Sequence, residues 1–216
     1  VLMSRSADAG ARITHAGRIA RIEAAGAEVG LMACDTGDFA ALRDCLSTLR
    51  GASSPLRGIV HAAGQNWLGR IADTAPGRML ETMRLKAGAA LVLHEATRDM
   101  RLDLFVICSS ISALWGSVAL AHYAAANRFA DALVEMRRAQ GLVGTSIDWG
   151  PWAEIGMSAR PRETEVVTAV GLPLIPPGDA LLALERALAA PEAVQIVARL
   201  DWQRFGSFAD YSLWPG

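Results

Sequence analysis

Lysine is almost missing from this sequence: Lys86 stands alone against twenty arginines. Together with abundant alanine, the bias points to GC-rich coding and by itself says nothing about chemistry. An excess of charge is missing too, with 21 basic against 22 acidic residues and a formal charge of −1. That removes the main electrostatic basis for nucleic-acid binding. No apolar run reaches the ~18–20 residues of a membrane span. The opening Val1–Asp8 lacks the basic region, apolar stretch and small-residue cleavage site of a signal peptide. Cysteine is scarce: Cys34, Cys45 and Cys108 are odd in number, widely spaced and set in apolar contexts. They argue against a disulfide framework or zinc site and for buried thiols in a reducing cytoplasm. The four histidines (His15, His61, His94, His122) show no metal-ligand spacing, so no metal is expected. No Gly-x-Gly-x-x-Gly turn occurs either.

What is present is enough for one well-buried domain: 216 residues, 52% hydrophobic and 20% charged. Short apolar runs recur at Val1–Met3, Val29–Ala33, Gly58–His61, Leu102–Cys108 and Thr145–Asp148, as in strands buried on both faces. Between them run helical stripes: Phe39, Leu42, Leu46 and Leu49; Met79, Leu80, Met83, Ala87, Ala90 and Leu91; Phe129, Leu133 and Met136. Asp38 and Thr74 are candidate N-caps, and Gly141 a C-terminal stop. The alternation predicts an α/β fold, a doubly wound, mainly parallel Rossmann-type sheet with helices on both faces. A helix over Asp179–Leu188 and a strand near Val194–Ala198 would close it. The Pro- and Gly-rich stretch 150–177 is too long for an ordinary connection and reads as a lid following Trp152. A doubly wound nucleotide-binding sheet opens with a strand, a Gly-rich turn and a helix. The first run here ends in Ser4-Arg5 instead, and so reads as a second strand whose preceding βα unit is missing.

The residues with chemical potential gather around one expected strand end. Ser109 and Ser110 close the fourth run, at the carboxyl end where open α/β sheets bind ligands. Tyr123 and Asn127, four apart at a helix start, project from one face. Thirteen residues separate Ser110 from Tyr123, room for a loop and a return. Lys86 lies on the preceding helix. Hydride addition to a carbonyl builds negative charge on oxygen, which an aligned donor must stabilise or protonate. A free tyrosine, with a pKa near ~10, is a poor acid–base group at neutral pH, and a neighbouring cation would lower that value. Lys86 supplies the cation, Ser110 a second hydrogen bond, and Asn127 would orient Lys86.

Tyr123-Ala-Ala-Ala-Asn127, the Ser109-Ser110 strand end, His61-Ala-Ala-Gly64 and Asp148-Trp-Gly-Pro-Trp152 together resemble the ketoreductase domain of modular type I polyketide synthases, within the short-chain dehydrogenase/reductases. In most of that superfamily a Lys follows the Tyr by four residues. Here Asn127 takes that place and Lys86 stands on the earlier helix, as in the synthase-embedded reductases and unlike free-standing fatty-acid or steroid oxidoreductases. The resemblance implies a catalytic domain over residues 1–205, the 150–177 lid within it, and a tail at 206–216. It implies Tyr123, Ser110, Lys86 and Asn127 as the catalytic set.

It also implies NADPH as cofactor, held by Ser4, Arg5, Cys34, Asp35, Ala62, Ala63, Gly64, Lys86, Tyr123, Pro151 and Trp152. Arg5, where NAD-specific folds place an acid, suits the 2′-phosphate. Trp115, Leu120 and Met157 would face the substrate. Trp115 eight residues before Tyr123, and Gln65-Asn-Trp-Leu68 where B-type enzymes carry Leu-Asp-Asp, resemble the A-type that yields an L-hydroxyl. Leu120 stands where a His would mark reductases that handle epimerised substrates. His122 reads as a loop residue. The implied reaction is reduction of the β-keto group of an intermediate carried on the phosphopantetheine of an acyl carrier protein, in the bacterial cytoplasm. Its implied partners are the other synthase domains and the missing N-terminal βα segment. The alternative is a reductase-inactive, structural or epimerising domain of the same kind.

Overall fold

The computed structural model describes residues 1–7, 9–157 and 160–208. The tail expected at 206–216 therefore lies mostly outside the described residues. The elements run β1 (Leu2–Ser4), α1 (Ala9–Thr14), α2 (Ala16–Ala24), β2 (Leu31–Ala33), α3 (Phe39–Arg50), β3 (Gly58–His61), a 3-10 turn (Ile71–Asp73) and α4 (Pro76–Met83). A π-helical turn (Arg84–Gly88) joins α4 to α5 (Ala89–Thr97). Then follow β4 (Leu104–Ser110), α6 (Ser112–Trp115), α7 (Ala121–Ala139), β5 (Thr145–Trp149), α8 (Pro161–Ala169), α9 (Pro177–Ala189), β6 (Val194–Val197) and α10 (Trp202–Phe208).

Among the described residues the strand pairings are parallel, so within each sheet the strands deliver their carboxyl ends to one rim. The strands form a two-stranded sheet, β1-β2, and a four-stranded sheet, β3-β4-β5-β6. Among the described residues β1 pairs with β2 and β3 with β4, so each sheet keeps an edge that the other does not fill. Val60, in the middle of β3, is 60% exposed, which leaves one face of that strand uncovered.

Alternation along β4 explains the layering. Phe105 and Ile107 join the core formed with Leu42 and Leu46 of α3, Ala89, Ala90 and Leu93 of α5, and Ala130, Leu133 and Val134 of α7. Val106 points the other way, into a second core with Ile147, Trp149, Ile175, and Ala180 and Ala187 of α9. Local signals set the helix ends. The Asp38 carboxylate accepts from the Ala40 and Ala41 amides, both at 3.1 Å, and caps α3. Gly141, at φ 76°, takes the left-handed turn after α7. Thr74 does not cap α4: the cap is Ala75, with Pro76 at the first helical position, where its missing N–H costs nothing.

The stripes were half right. Leu42, Leu46, Ala87, Ala90 and Leu133 are buried, whereas Leu80, Leu91, Phe129 and Met136 are exposed. The last four sit on the shoulder of each apolar arc, where α4, α5 and α7 face outward. Stretch 150–177 is not structureless: it holds α8, and its two ends are stitched together by Ala153 N–H to Ile175 O (2.9 Å) and Ile175 N–H to Pro151 O (2.8 Å). Among the described residues no helix is long and apolar enough to cross a membrane, and no group of three or more His, Cys, Asp or Glu side chains could hold a metal ion.

Candidate active site

The rim made by the carboxyl ends of β3, β4 and β5 carries the polar side chains that matter. Lys86 reaches it because of the π-helical turn. One wide turn between α4 and α5 changes the phase of the helix, and such insertions are frequent at functional sites. The turn is clamped from β3, where buried His61 donates from Nε2 to the Lys86 carbonyl at 3.2 Å. Burial and the nearby ammonium push His61 down to about 4, so it is neutral at ordinary pH. The Lys86 side chain is 4% exposed. Its ammonium donates to the Cys108 carbonyl and, at 3.5 Å, to that of Ala63. Burial lowers it to about 8, against the opposing pull of Cys108 and Asp131.

Ser110 ends β4, and its Oγ accepts from Ser112 N (3.2 Å) and Ser112 Oγ (3.0 Å). With both acceptor sites used, the hydroxyl proton points to the Tyr123 phenol, where a substrate oxygen could take it instead. Tyr123 lies in the first turn of α7, half-buried. Burial raises its phenol above the usual value, while hydrogen bonds from the Ser110 and Asn127 side chains work to lower it. The Lys86 donors are turned onto the Cys108 and Ala63 carbonyls rather than onto the phenol. Asn127 was expected to orient Lys86. Its amide instead donates to the Tyr123 carbonyl at 2.8 Å, one turn back on the same helix. Its Oδ1 is buried without a donor.

The other expected residues divide. Arg5 and Asp35, at the ends of β1 and β2, share a cavity of about 370 Å³ with Gly37, Asp38, Glu81, Arg84 and Leu85. Ser4, Ala62 and Gly64 are exposed along the same rim, and the Ala63 carbonyl holds Lys86. Pro151 is buried, and Trp152 packs edge-on against Trp149 at 4.9 Å. Leu120 precedes α7, and Met157 is half-buried.

Two of these residues also make packing contacts. The Cys34 side chain is buried in the core, where burial and the neighbouring Cys45 raise its thiol to about 11; a thiol so placed is a packing group and offers the rim only its backbone. Trp115, expected to face substrate, lays its ring against Phe205 of α10 at 4.9 Å.

Three residues escaped the sequence reading. Arg84 crosses the cavity beside Arg5, donating to Gly37 O at 2.9 Å and lying 5.1 Å from the Phe39 ring. Trp67 stacks on His122 at 3.8 Å, nearly parallel, with Arg78 on the indole at 4.5 Å and Thr82 accepting its N–H. His122 is therefore not a loop residue. It is buried in the first turn of α7, where burial and Arg78 lower its pKa. Nothing in local spacing links positions 67 and 122; only the fold brings them together.

Comparison with known proteins points the same way. The profile of the KR-domain family matches residues 1–154. Polyketide synthase GfsB of Streptomyces halstedii is 40% identical over 184 residues, covering 85% of the chain and 3% of that protein. Phenolphthiocerol synthesis polyketide synthase type I Pks15/1 of Mycobacterium marinum is 38% identical over 205 residues, 93% of the chain and 10% of that protein. A solved A1-type ketoreductase superposes with a TM-score of 0.89 at 37% identity, covering 100% of the chain and 44% of its own. The chain thus spans a small part of these synthases and less than half of that solved chain.

Proposed function

Because the chain belongs to the KR-domain family of modular type I polyketide synthases, we propose that it reduces the β-keto group of an acyl chain tethered to the phosphopantetheine of an acyl carrier protein, using NADPH and leaving an L-configured hydroxyl. What supports this reading is the Ser110 hydroxyl on the Tyr123 phenol at the end of β4, with the Lys86 ammonium on the Cys108 carbonyl two residues back. Ser110 turns its hydroxyl proton from the Tyr123 phenol to the substrate carbonyl oxygen. Tyr123, kept protonated by burial, transfers its proton to the same oxygen as negative charge builds there. Lys86 supplies the positive field that stabilises the phenolate left behind, and Asn127 fixes the first turn of α7 beneath the phenol.

NADPH, when bound, supplies the hydride. The residues present fit it: Arg5 and Arg84 share a cavity of about 370 Å³ at the ends of β1 and β2, and two guanidinium groups suit a 2′-phosphate. Ala62, Ala63 and Gly64 along the rim, with Pro151 and Trp152 at its far end, would hold the rest. The A-type assignment is supported by Trp115, by the lack of Leu-Asp-Asp after Gly64, and by the likeness to an A1-type enzyme. Residues 1–205 would form the catalytic unit and 150–177 its lid, working in the bacterial cytoplasm beside the other synthase domains. The one second reading is a domain of this family that does not reduce.

Fluorescence titration with NADPH and NADH, followed by chiral analysis of the alcohol formed from a β-ketoacyl thioester, tests the proposal. Preferential NADPH binding and an L-hydroxyl are expected. A D-hydroxyl would overturn the A-type assignment, and failure to bind either nucleotide would favour the non-reducing reading.

A further inference from the structure

Behind the strand end lies a buried polar layer that the proposed chemistry does not use. Residues 146 and 148 of β5 share one face of the strand, and residues 127 and 131 of α7 lie one turn apart. The fold sets these faces against each other. Ser146 Oγ donates to Asp131 Oδ1 at 2.7 Å. Ser109 lies opposite Asp148 in the β4–β5 register and donates to the Asn127 carbonyl at 3.5 Å, and the Asp148 carboxyl feels both Ser109 and Asp131. Asp131 is 0% and Asp148 3% exposed. Asp131 Oδ2 and Asp148 Oδ1 are nevertheless both without a donor.

Two carboxylates packed together in such a place do not both ionise until well above the usual carboxylate range. One proton between them supplies the donor that both orphaned oxygens lack. Burial first, and then Asp131, push the Asp148 carboxyl up to about 7, so Asp148 carries the proton and Asp131 the charge.

Arg128 of α7 approaches Asp131 Oδ2 at 3.9 Å but is more than half exposed and shared with Glu135 at 3.8 Å. On the elements packed around Lys86 the titratable groups are His61 of β3, neutral at ordinary pH, the Cys108 thiol of β4, which burial raises, and the Tyr123 phenol of α7, also raised. Asp131 is the carboxylate among the groups that act on the Lys86 ammonium.

We propose that Asp131 and Asp148 share one proton, and that the single negative charge of the pair is the counter-charge that keeps the buried Lys86 ammonium in place behind Tyr123. Asp131 and Asp148 are thus positioning residues, acting through Lys86. The inference rests on the reductase reading for its purpose, though not for its test. Because each carboxylate can stand in for the other, losing one leaves a charge and losing both leaves none.

The chain has one lysine, so [13Cε]lysine incorporated biosynthetically gives one side-chain NMR signal to follow against pH. In the unaltered 216-residue chain that signal should show two steps, an inflection near pH 7 from the pair and its own near 8. Asp148→Asn, which keeps a donor for Asp131, should abolish the first step and leave a midpoint no higher than the original. Asp131→Asn should move the first step below pH 7 as Asp148, freed of its rival, ionises. The double variant should lower the Lys86 midpoint by about one to three pH units. A folded double variant titrating like the unaltered chain, or an Asp148→Asn chain that keeps the step near 7, would overturn the proposal. Neither NADPH nor substrate is needed. A chain that titrates as expected but does not reduce would therefore sink only the reductase reading, and an active one with an unmoved Lys86 only the pair.

Discussion

Replacing Lys86 by Arg separates the charge of this residue from its ability to lose it. Lys86 falls from 10.5 to about 8 because its ammonium is buried, a cost of about 3 kcal/mol at 1.36 kcal/mol per pH unit. Below the lowered value the side chain is mostly ammonium; above it, mostly neutral amine. A reaction that relies on that charge therefore runs fastest below pH 8. Its rate should fall about tenfold for each pH unit above that. Tyr123 does not produce this limb, because burial moves its phenol upward, away from pH 8. Arginine stays protonated throughout. Lys86→Arg should lower the absolute rate, since a planar guanidinium cannot reproduce the contacts to the Ala63 and Cys108 carbonyls, but its profile should stay flat to about pH 10. The assay is NADPH oxidation with a β-ketoacyl thioester from pH 6 to about 10.5, normalised to each protein's plateau. A flat profile in the unaltered protein, or the same limb near pH 8 in Lys86→Arg, would refute the reasoning.

Two further outcomes concern packing and linkage. A Cβ at Gly88 would lie 2.3 Å from Phe39 Cζ; Gly88→Ala should cost about 1–3 kcal/mol in urea unfolding and regain most of it with Phe39→Ala added, whereas additive losses would contradict the contact. The Asp148 carboxyl is raised in the folded state from 3.8 to about 7. The native protein therefore holds more protons than the unfolded chain in that window, and stability is lost as pH rises through 7. His61, lowered to about 4, works the other way below pH 6.5 and is common to both proteins compared. Between about pH 4.5 and 8 the unaltered chain should lose roughly 2–4 kcal/mol relative to Asp148→Asn, and parallel unfolding curves would contradict this.

The strands and most helices were legible because strand runs and cap residues are local signals. Tyr123, Asn127, Ser110 and Lys86 were legible for the same reason: a helix phase, a strand end and a lone ammonium. Lys86's route to the rim was not, since one π-helical turn adds a residue without disturbing the apolar spacing around it. Phe129 and Met136 kept the right period and still faced solvent, because period fixes a face and not its neighbour. Arg84 beside Arg5, Trp67 on His122, and Asp131 against Asp148 join residues far apart in sequence. Their only local trace was an Asp inside the apolar run that became β5. Trp115 and Cys34 stand at the positions the resemblance implies, yet Phe205 and Cys45 respectively draw their side chains into the packing.

The account depends most on Tyr123 as the proton donor to the substrate oxygen. Tyr123→Phe removes one hydroxyl from a half-buried ring and leaves the Asn127 bond to its backbone carbonyl untouched. With a β-ketoacyl thioester and NADPH, the variant should lose turnover by about 100-fold or more, with nucleotide affinity and unfolding midpoint close to those of the unaltered protein. Turnover within a few-fold of the original, in a variant that still binds NADPH and remains folded, would contradict the assignment.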